Sequence, residues 1–223
     1  MIDFFLVYVE FWDEWWPQIA VATLYTISLT AIAFVIGIVL GISLALAKLS
    51  KIVAARRCSI VYIEITRGIP TLALLFLLYF GLPPLGILLD EFVACFIGLG
   101  MITAGYLAEI FRGGIEAMHK GQREAALAIG MTPRTAFRYI IFPQAIRIVL
   151  PPLLNTLIVV LKDSSVCSII TTPELMLRTK DIATMDFVPM HLYLLAGLIY
   201  FCMAWPLSLL ARRLEVYMRR GLR

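Results

Sequence analysis

Two short clusters carry charge among apolar neighbours. The first reads Glu64-Ile65-Thr66-Arg67-Gly68-Ile69-Pro70-Thr71. Glu64 and Arg67 stand three residues apart and share one face of a helix. Pro70 cannot donate a backbone hydrogen bond, so the helix must break or kink there. The second cluster, Leu161-Lys162-Asp163-Ser164-Ser165, follows Pro151, Pro152 and Asn155. Lys162 would attract a carboxylate and Asp163 an ammonium, and the neighbouring hydroxyls add hydrogen bonds, so the row suits the charged ends of an amino-acid zwitterion. Glu64, Arg67, Lys162, Asp163 and Ser164 are therefore the candidate residues of a solute pathway. Two plainer readings stand beside this one. Glu64 and Arg67 can form a structural salt bridge or a contact between chains, and Lys162 to Ser164 can mark the end of a span.

The remaining reactive side chains exclude more than they suggest. No Gly-x-x-x-x-Gly-Lys-Ser/Thr loop is present, and Arg112-Gly113-Gly114 lacks both its spacing and its lysine, so the chain does not bind ATP itself. Cys58, Cys95, Cys167 and Cys202 form no CxxC pair and read as small hydrophobes. His119 and His191 stand alone. With no clustered nucleophile, metal ligand set or acid–base pair, no catalytic residue, metal site or resident cofactor is expected. Nothing in these residues reads as an enzyme's active site.

A third region is polar without being catalytic. It runs from about residue 113 to 143 and contains Gly121-Gln122-Arg123-Glu124-Ala125-Ala126-Leu127-Ala128-Ile129-Gly130-Met131-Thr132-Pro133. The first part is a good helix former. Gly130 suits a C-terminal cap, where positive φ is cheap. Thr132 and Pro133 suit the cap and first turn of a second helix. Two short helices meeting at a glycine form a surface suited to docking a soluble partner.

The elements that position these groups are membrane spans. Of 223 residues, 61% are hydrophobic and 15% charged, and mean hydropathy is +0.93. A soluble domain carries nearer a quarter charged residues. Apolar runs at about 19–47, 59–80, 92–111, 145–161 and 191–210 are each near the length that crosses a bilayer, the fourth interrupted by Pro151 and Pro152. Gly37 and Gly41 in the first run have the small-xxx-small spacing of close helix contact.

Lys48, Lys51, Arg56 and Arg57 follow the first run. Arg112, Lys120, Arg123, Arg134, Arg138 and Arg147 lie between the third and fourth, and Arg212, Arg213, Arg219, Arg220 and Arg223 follow the fifth. Fifteen of the 19 basic residues thus fall on one side, against Arg178 and Lys180 on the other. The positive-inside rule then puts the N-terminus outside, the C-terminus inside and the 113–143 loop in the cytoplasm. Because the basic residues flank spans and form no single face, nucleic acid is not an expected partner. The acidic, Trp-rich start has no Lys or Arg, unlike a signal peptide. Its indoles suit an outer interfacial segment over residues 1–18. Residues 19–215 form the membrane domain, and 216–223 form a basic cytoplasmic tail.

The loop resembles the EAA motif of ATP-binding-cassette importer permeases: Glu124-Ala125-Ala126, three residues, Gly130, nine residues, Ile140, one residue, Phe142-Pro143. Phe142 stands where the motif has leucine. The 64–70 and 161–165 clusters, Tyr79-Phe80-Gly81-Leu82-Pro83 and Ala108-Glu109-Ile110-Phe111-Arg112-Gly113-Gly114-Ile115 extend the likeness. Together they resemble the permeases that take up histidine, glutamine, glutamate, arginine and opines. The resemblance implies an all-α membrane protein with the five-helix type I importer fold, in a bacterial cytoplasmic (inner) membrane. It implies a second permease subunit, the same or a related chain, and an extracytoplasmic amino-acid-binding protein. It also implies two ATPase subunits that hold ATP and magnesium. Glu124, Ala125, Ala126 and Gly130 would contact the ATPase. The competing reading is a secondary transporter driven by an ion gradient, which would usually need more helices and an internal repeat. A membrane-embedded enzyme lacks the residues.

Overall fold

The computed structural model describes residues 2–117 and 120–219, and all its regular elements are helical. Helix α1 (Ile2–Glu10) ends before Phe11, whose backbone (φ −100°, ψ 6°) separates it from α2 (Trp12–Leu49). At 38 residues α2 is about 57 Å long, nearly twice the hydrocarbon thickness of a bilayer. Its first turns pack against later parts of the chain. They form their own small core, with Trp15 and Ile19 packed on Leu175, Ile182 and Leu192. The Trp15 indole is 1% exposed and donates to Asp186 Oδ2 at 2.7 Å. Trp12 and Trp16 stack on each other and are half exposed.

Helix α3 (Val53–Gly68) stops at Ile69, extended as a residue before proline prefers, and α4 (Thr71–Tyr79) begins after Pro70. The two halves bend by 105°, so Gly68-Ile69-Pro70 is a sharp break. A 3-10 turn, Pro83–Leu85, closes on Gly86 and leads to α5 (Glu91–Glu116), capped by the Asp90 carboxylate accepting from Phe92 N at 2.9 Å.

Helix α6 (Lys120–Ala128) and α7 (Pro133–Ala136) precede a π-turn (Phe137–Ile141) and α8 (Phe142–Asp163). The interruption expected at Pro151 and Pro152 is absent: α8 runs straight through both. Local hydroxyls help to satisfy backbone groups around such prolines, and Thr156 Oγ1 donates to Pro152 O at 3.0 Å. A 3-10 segment (Ser164–Ile170), α9 (Leu175–Met185) and α10 (Pro189–Arg219) complete the chain.

Among the described residues, four helical segments are long and apolar enough to cross a membrane, or five if the bent α3–α4 pair is one span. Of the four unbent segments, α5 is central: 61% of its apolar window is buried, against 33% or less for the other three. Its small residues let neighbours approach. A Cβ added to Gly37 would lie 2.4 Å from Thr103 Cγ2, and one on Gly41 would lie 2.9 Å from Leu107 Cβ. The small-xxx-small pair of α2 thus faces α5. Leu29, Leu75, Cys95, Leu99, Val160 and Cys167 form the main core. Val35, Leu46, Leu77, Leu198 and Phe201 are more than half exposed, as lipid-facing side chains would be.

Candidate functional site

Two places hold the residues singled out by sequence, one between α5 and α8 and one on the α6–α7 loop. The first is a cavity of about 310 Å³. Helix α5 contributes Thr103 and Tyr106, one turn apart. Helix α8 contributes Asn155, Thr156 and Asp163, spaced so that successive turns face the same way. Thr103 Oγ1 donates to Leu99 O at 2.6 Å. With the Thr156 bond, this occupies the two donors and leaves hydroxyl lone pairs toward the cavity. Asp163 is half-buried and makes no hydrogen bond or ion pair among the described residues. Arg67 lies with its guanidinium carbon 5.5 Å from the centre of the Tyr106 ring, a cation–π distance.

The structure therefore regroups the predicted charges. Lys162 does not join Asp163: one residue is about 100° of helix turn. Lys162 faces a separate cavity with Ser165 and Tyr200. Ser164 is fully buried and its hydroxyl donates to Leu161 O at 2.7 Å, a structural bond. Glu64 is exposed and forms no ion pair with Arg67 among the described residues, so the structural salt bridge is not made. What the fold does bring to one cavity is Asp163 and Tyr106, and the Tyr106 ring also carries the exposed Arg67, which is outside the cavity lining.

The loop has the anatomy its residues require. Gly130 takes φ +85°, in the left-handed region that disfavours a Cβ. Gly130 N donates to Leu127 O at 3.0 Å and Met131 N to Ala126 O at 3.0 Å, closing α6. Thr132 Oγ1 caps α7 by accepting from Thr135 N at 3.3 Å. Glu124, Ala125 and Gly130 are exposed. Ala126 is only 2% exposed, so it seats α6 on its own chain. Ile129, passed over in the sequence, is 78% exposed. Gln144 Nε2 donates to Gln122 Oε1 at 2.7 Å and ties α6 to the start of α8. His119 and residues 220–223 of the basic tail lie outside the described residues.

Just before the loop, Glu109 accepts from Lys48 Nζ at 2.6 Å and from Arg112 Nη2 at 2.8 Å, and Arg112 also pairs with Glu116. This ladder fastens the end of α2 to the end of α5, where the loop begins. Nothing in the spacing of Lys48 and Glu109, 61 residues apart, announces it. Nor does local sequence reveal Glu174. That carboxylate is fully buried and accepts from Met176 N at 2.9 Å, Leu177 N at 2.8 Å and the Tyr200 hydroxyl at 2.8 Å. Burial raises its pKa above the usual carboxylate range, against the opposing pull of those bonds. Among the described residues no cluster of His, Cys, Asp or Glu could hold a metal ion.

Known proteins resemble this chain in sequence and fold. Residues 37–223 match the family model described as binding-protein-dependent transport system inner membrane component. A probable amino-acid ABC transporter permease, YckA of Bacillus subtilis (strain 168), is 40% identical over 84% of this chain and 83% of its own length. The L-cystine transport system permease TcyB of the same organism is 34% identical over 94% and 93%. The glutamine transport system permease GlnP of Escherichia coli (strain K12) is 31% identical over 93% and 97%. Among solved structures, an amino acid ABC transporter crystallised with histidines has a chain 36% identical, with TM-score 0.87 over 97% of this chain and 98% of that one. The MetNI methionine ABC transporter in an inward-facing form, 20% identical with TM-score 0.63 over 89% and 93%, shares the fold. The chain belongs to the family of binding-protein-dependent transport system inner membrane components, with the type I ABC permease fold and amino-acid ABC transporter permeases as its relatives.

Proposed function

We propose that this chain is the membrane-spanning subunit of an ATP-driven importer of polar amino acids, driven through the α6–α7 loop. The observation that carries the reading is the loop itself. Glu124, Ala125, Ile129 and Gly130 stand exposed around a left-handed glycine turn, in the one long segment that positive-inside sidedness puts in the cytoplasm. The bent α3–α4 pair counts as one span, giving five, with the N-terminus outside and the C-terminus inside a bacterial cytoplasmic membrane. Residues 1–18 lie at the outer face and 216–223 in the cytoplasm.

The assembly has two permease subunits, this chain with itself or a relative, and two ATPase subunits that carry ATP and magnesium. A binding protein delivers the solute from outside. Between α5 and α8, Asp163 attracts the ammonium of the passing solute and Arg67 its carboxylate, with Thr103, Asn155 and Thr156 supplying neutral hydrogen bonds. Lys162 and Glu64 belong to the approaches.

The test is uptake by vesicles holding this chain, its ATPase and its binding protein. Labelled amino acid should enter only with ATP inside the ATPase compartment. Uptake that runs on a sodium or proton gradient without ATP overturns the reading.

A further inference from the structure

A second cavity, of about 390 Å³, opens at the loop end of the bundle, and every side chain lining it is apolar. Ile42 and Ala45 of α2 form one wall, Phe111 of α5 another, and Phe137, Phe142 and Ile146 of the π-turn and α8 the third. Water has no polar partner there.

The charges around this cavity are one-sided. Between Ala125 and Lys162 there is no acidic residue, while Arg134 and Arg138, one helical turn apart beside Phe137, are exposed. Lys51, Arg56 and Arg57 follow the α2 wall closely in sequence. The acids of the α5 wall are occupied: Glu109 holds Lys48 and Arg112, and Glu116 holds Arg112. Arg138 lies 5.7 Å over the exposed Tyr139 ring. An aromatic and an arginine together suit the level of lipid headgroups.

We propose that this cavity holds an acyl chain of an anionic phospholipid, with its headgroup phosphate on Arg134 and Arg138. This rests on the reading that the segment from Pro133 to Ile170 spans the bilayer with its loop end at the inner leaflet. A zwitterionic lipid would fill the same apolar space but gain less from the arginines. Bound there, the lipid bridges α2 to the π-turn that joins the loop to α8, the hinge through which loop movement would reach the membrane.

The test uses the assembled transporter in vesicles, with Phe137→Trp as reporter and Ile146→Trp as a second reporter should the first fail to assemble. Quenching by bromine-labelled acyl chains is measured for phosphatidylglycerol and for phosphatidylcholine, and the unsubstituted transporter supplies the background of the native tryptophans. Phosphatidylglycerol should quench at the lower mole fraction. Adding Arg134→Gln or Arg138→Gln should each reduce that preference about fivefold. Equal quenching by the two lipids, or a preference unmoved by either change, overturns the site. So does absence of quenching, which would mean that a second copy of this chain covers the cavity. ATP-dependent uptake by the same vesicles reports the permease reading separately, so loss of lipid preference with transport intact counts against the lipid site alone.

Discussion

The α2–α5 seam and the α6–α7 loop both depend on glycine, for opposite reasons. At the seam, Gly37 and Gly41 are needed for what they lack, since a Cβ on either would collide with Thr103 or Leu107 of α5. Leu29, Ala33, Ala104, Leu107 and Ala108 are buried alongside. In the loop, Gly130 has open space around it and is needed for its positive φ. Its neighbours Leu127 and Ile129 are exposed, and among the described residues there only Ala126 and Ala136 are buried. The seam is packed within the chain, whereas the loop exposes most of its described side chains. On the proposed function the two would work as a transmission, in which force received at the loop passes into tightly packed helices.

The comparison breaks most visibly at its two glycines. Gly37→Leu should cost about 3 kcal/mol or more through overpacking, and a membrane bundle packed by close backbone approach has little room to relax. Expected is loss of the chain from the membrane fraction and of any ATPase complex. Normal accumulation with an unchanged melting temperature would show the seam to be loose. Gly130→Pro should do the reverse. Proline fixes φ near −65°, which the +85° turn cannot accept, but no packed core surrounds the site. The chain should accumulate and bind the ATPase weakly, with uptake abolished and residual ATP hydrolysis uncoupled from transport. Full uptake by this variant would remove the loop from the transmission.

Asp163→Asn sharpens the contrast from inside the cavity. The carboxylate has no partner among the described residues, so its removal should leave stability unchanged. Losing a charge-assisted hydrogen bond to a substrate ammonium should weaken transport about tenfold or more. Unchanged uptake kinetics would take Asp163 out of the pathway. Arg67→Gln is the companion change, and its effect should grow with the negative charge of the solute.

Spacing made the loop legible because its determinants are local. A glycine that must turn, a threonine that must cap and a proline that must start a helix sit within four residues of one another. The break at Gly68-Ile69-Pro70 was legible for the same reason. The cavity was legible only in part. Asp163 and Arg67 stood out as charges in apolar runs, but the sequence paired Asp163 with adjacent Lys162, and helix rotation turns that lysine to another cavity. Tyr106, which carries Arg67, lies 39 residues further along, and no period links them. Likewise Pro151 and Pro152 read locally as an interruption, yet the surrounding helix absorbs them. Long-range ties such as Lys48 to Glu109 and Trp15 to Asp186 leave no trace in spacing at all.

The smallest expected effect probes the far end of the seam, where Thr26 of α2 accepts from Leu175 N at 3.0 Å beside buried Glu174. Burial raises the pKa of Glu174 in the fold, so the native state keeps its proton to higher pH than the unfolded chain does. Between the unfolded value and the raised folded one, the native state binds more protons, and stability must fall as pH rises through that window. Glu174→Gln removes the titration. It keeps the shape but leaves one of the three donors facing an amide NH₂, at a cost of about 1–3 kcal/mol. The measurement is the melting temperature of the purified transporter against pH, read as wild type minus variant so that other carboxylates cancel. The difference should be largest at low pH and shrink through the window as the wild type loses its advantage. A difference that grows with pH would mean that the three donors outweigh burial and that Glu174 is ionised in the fold. The contact between α2 and α9 would then be held by a charge.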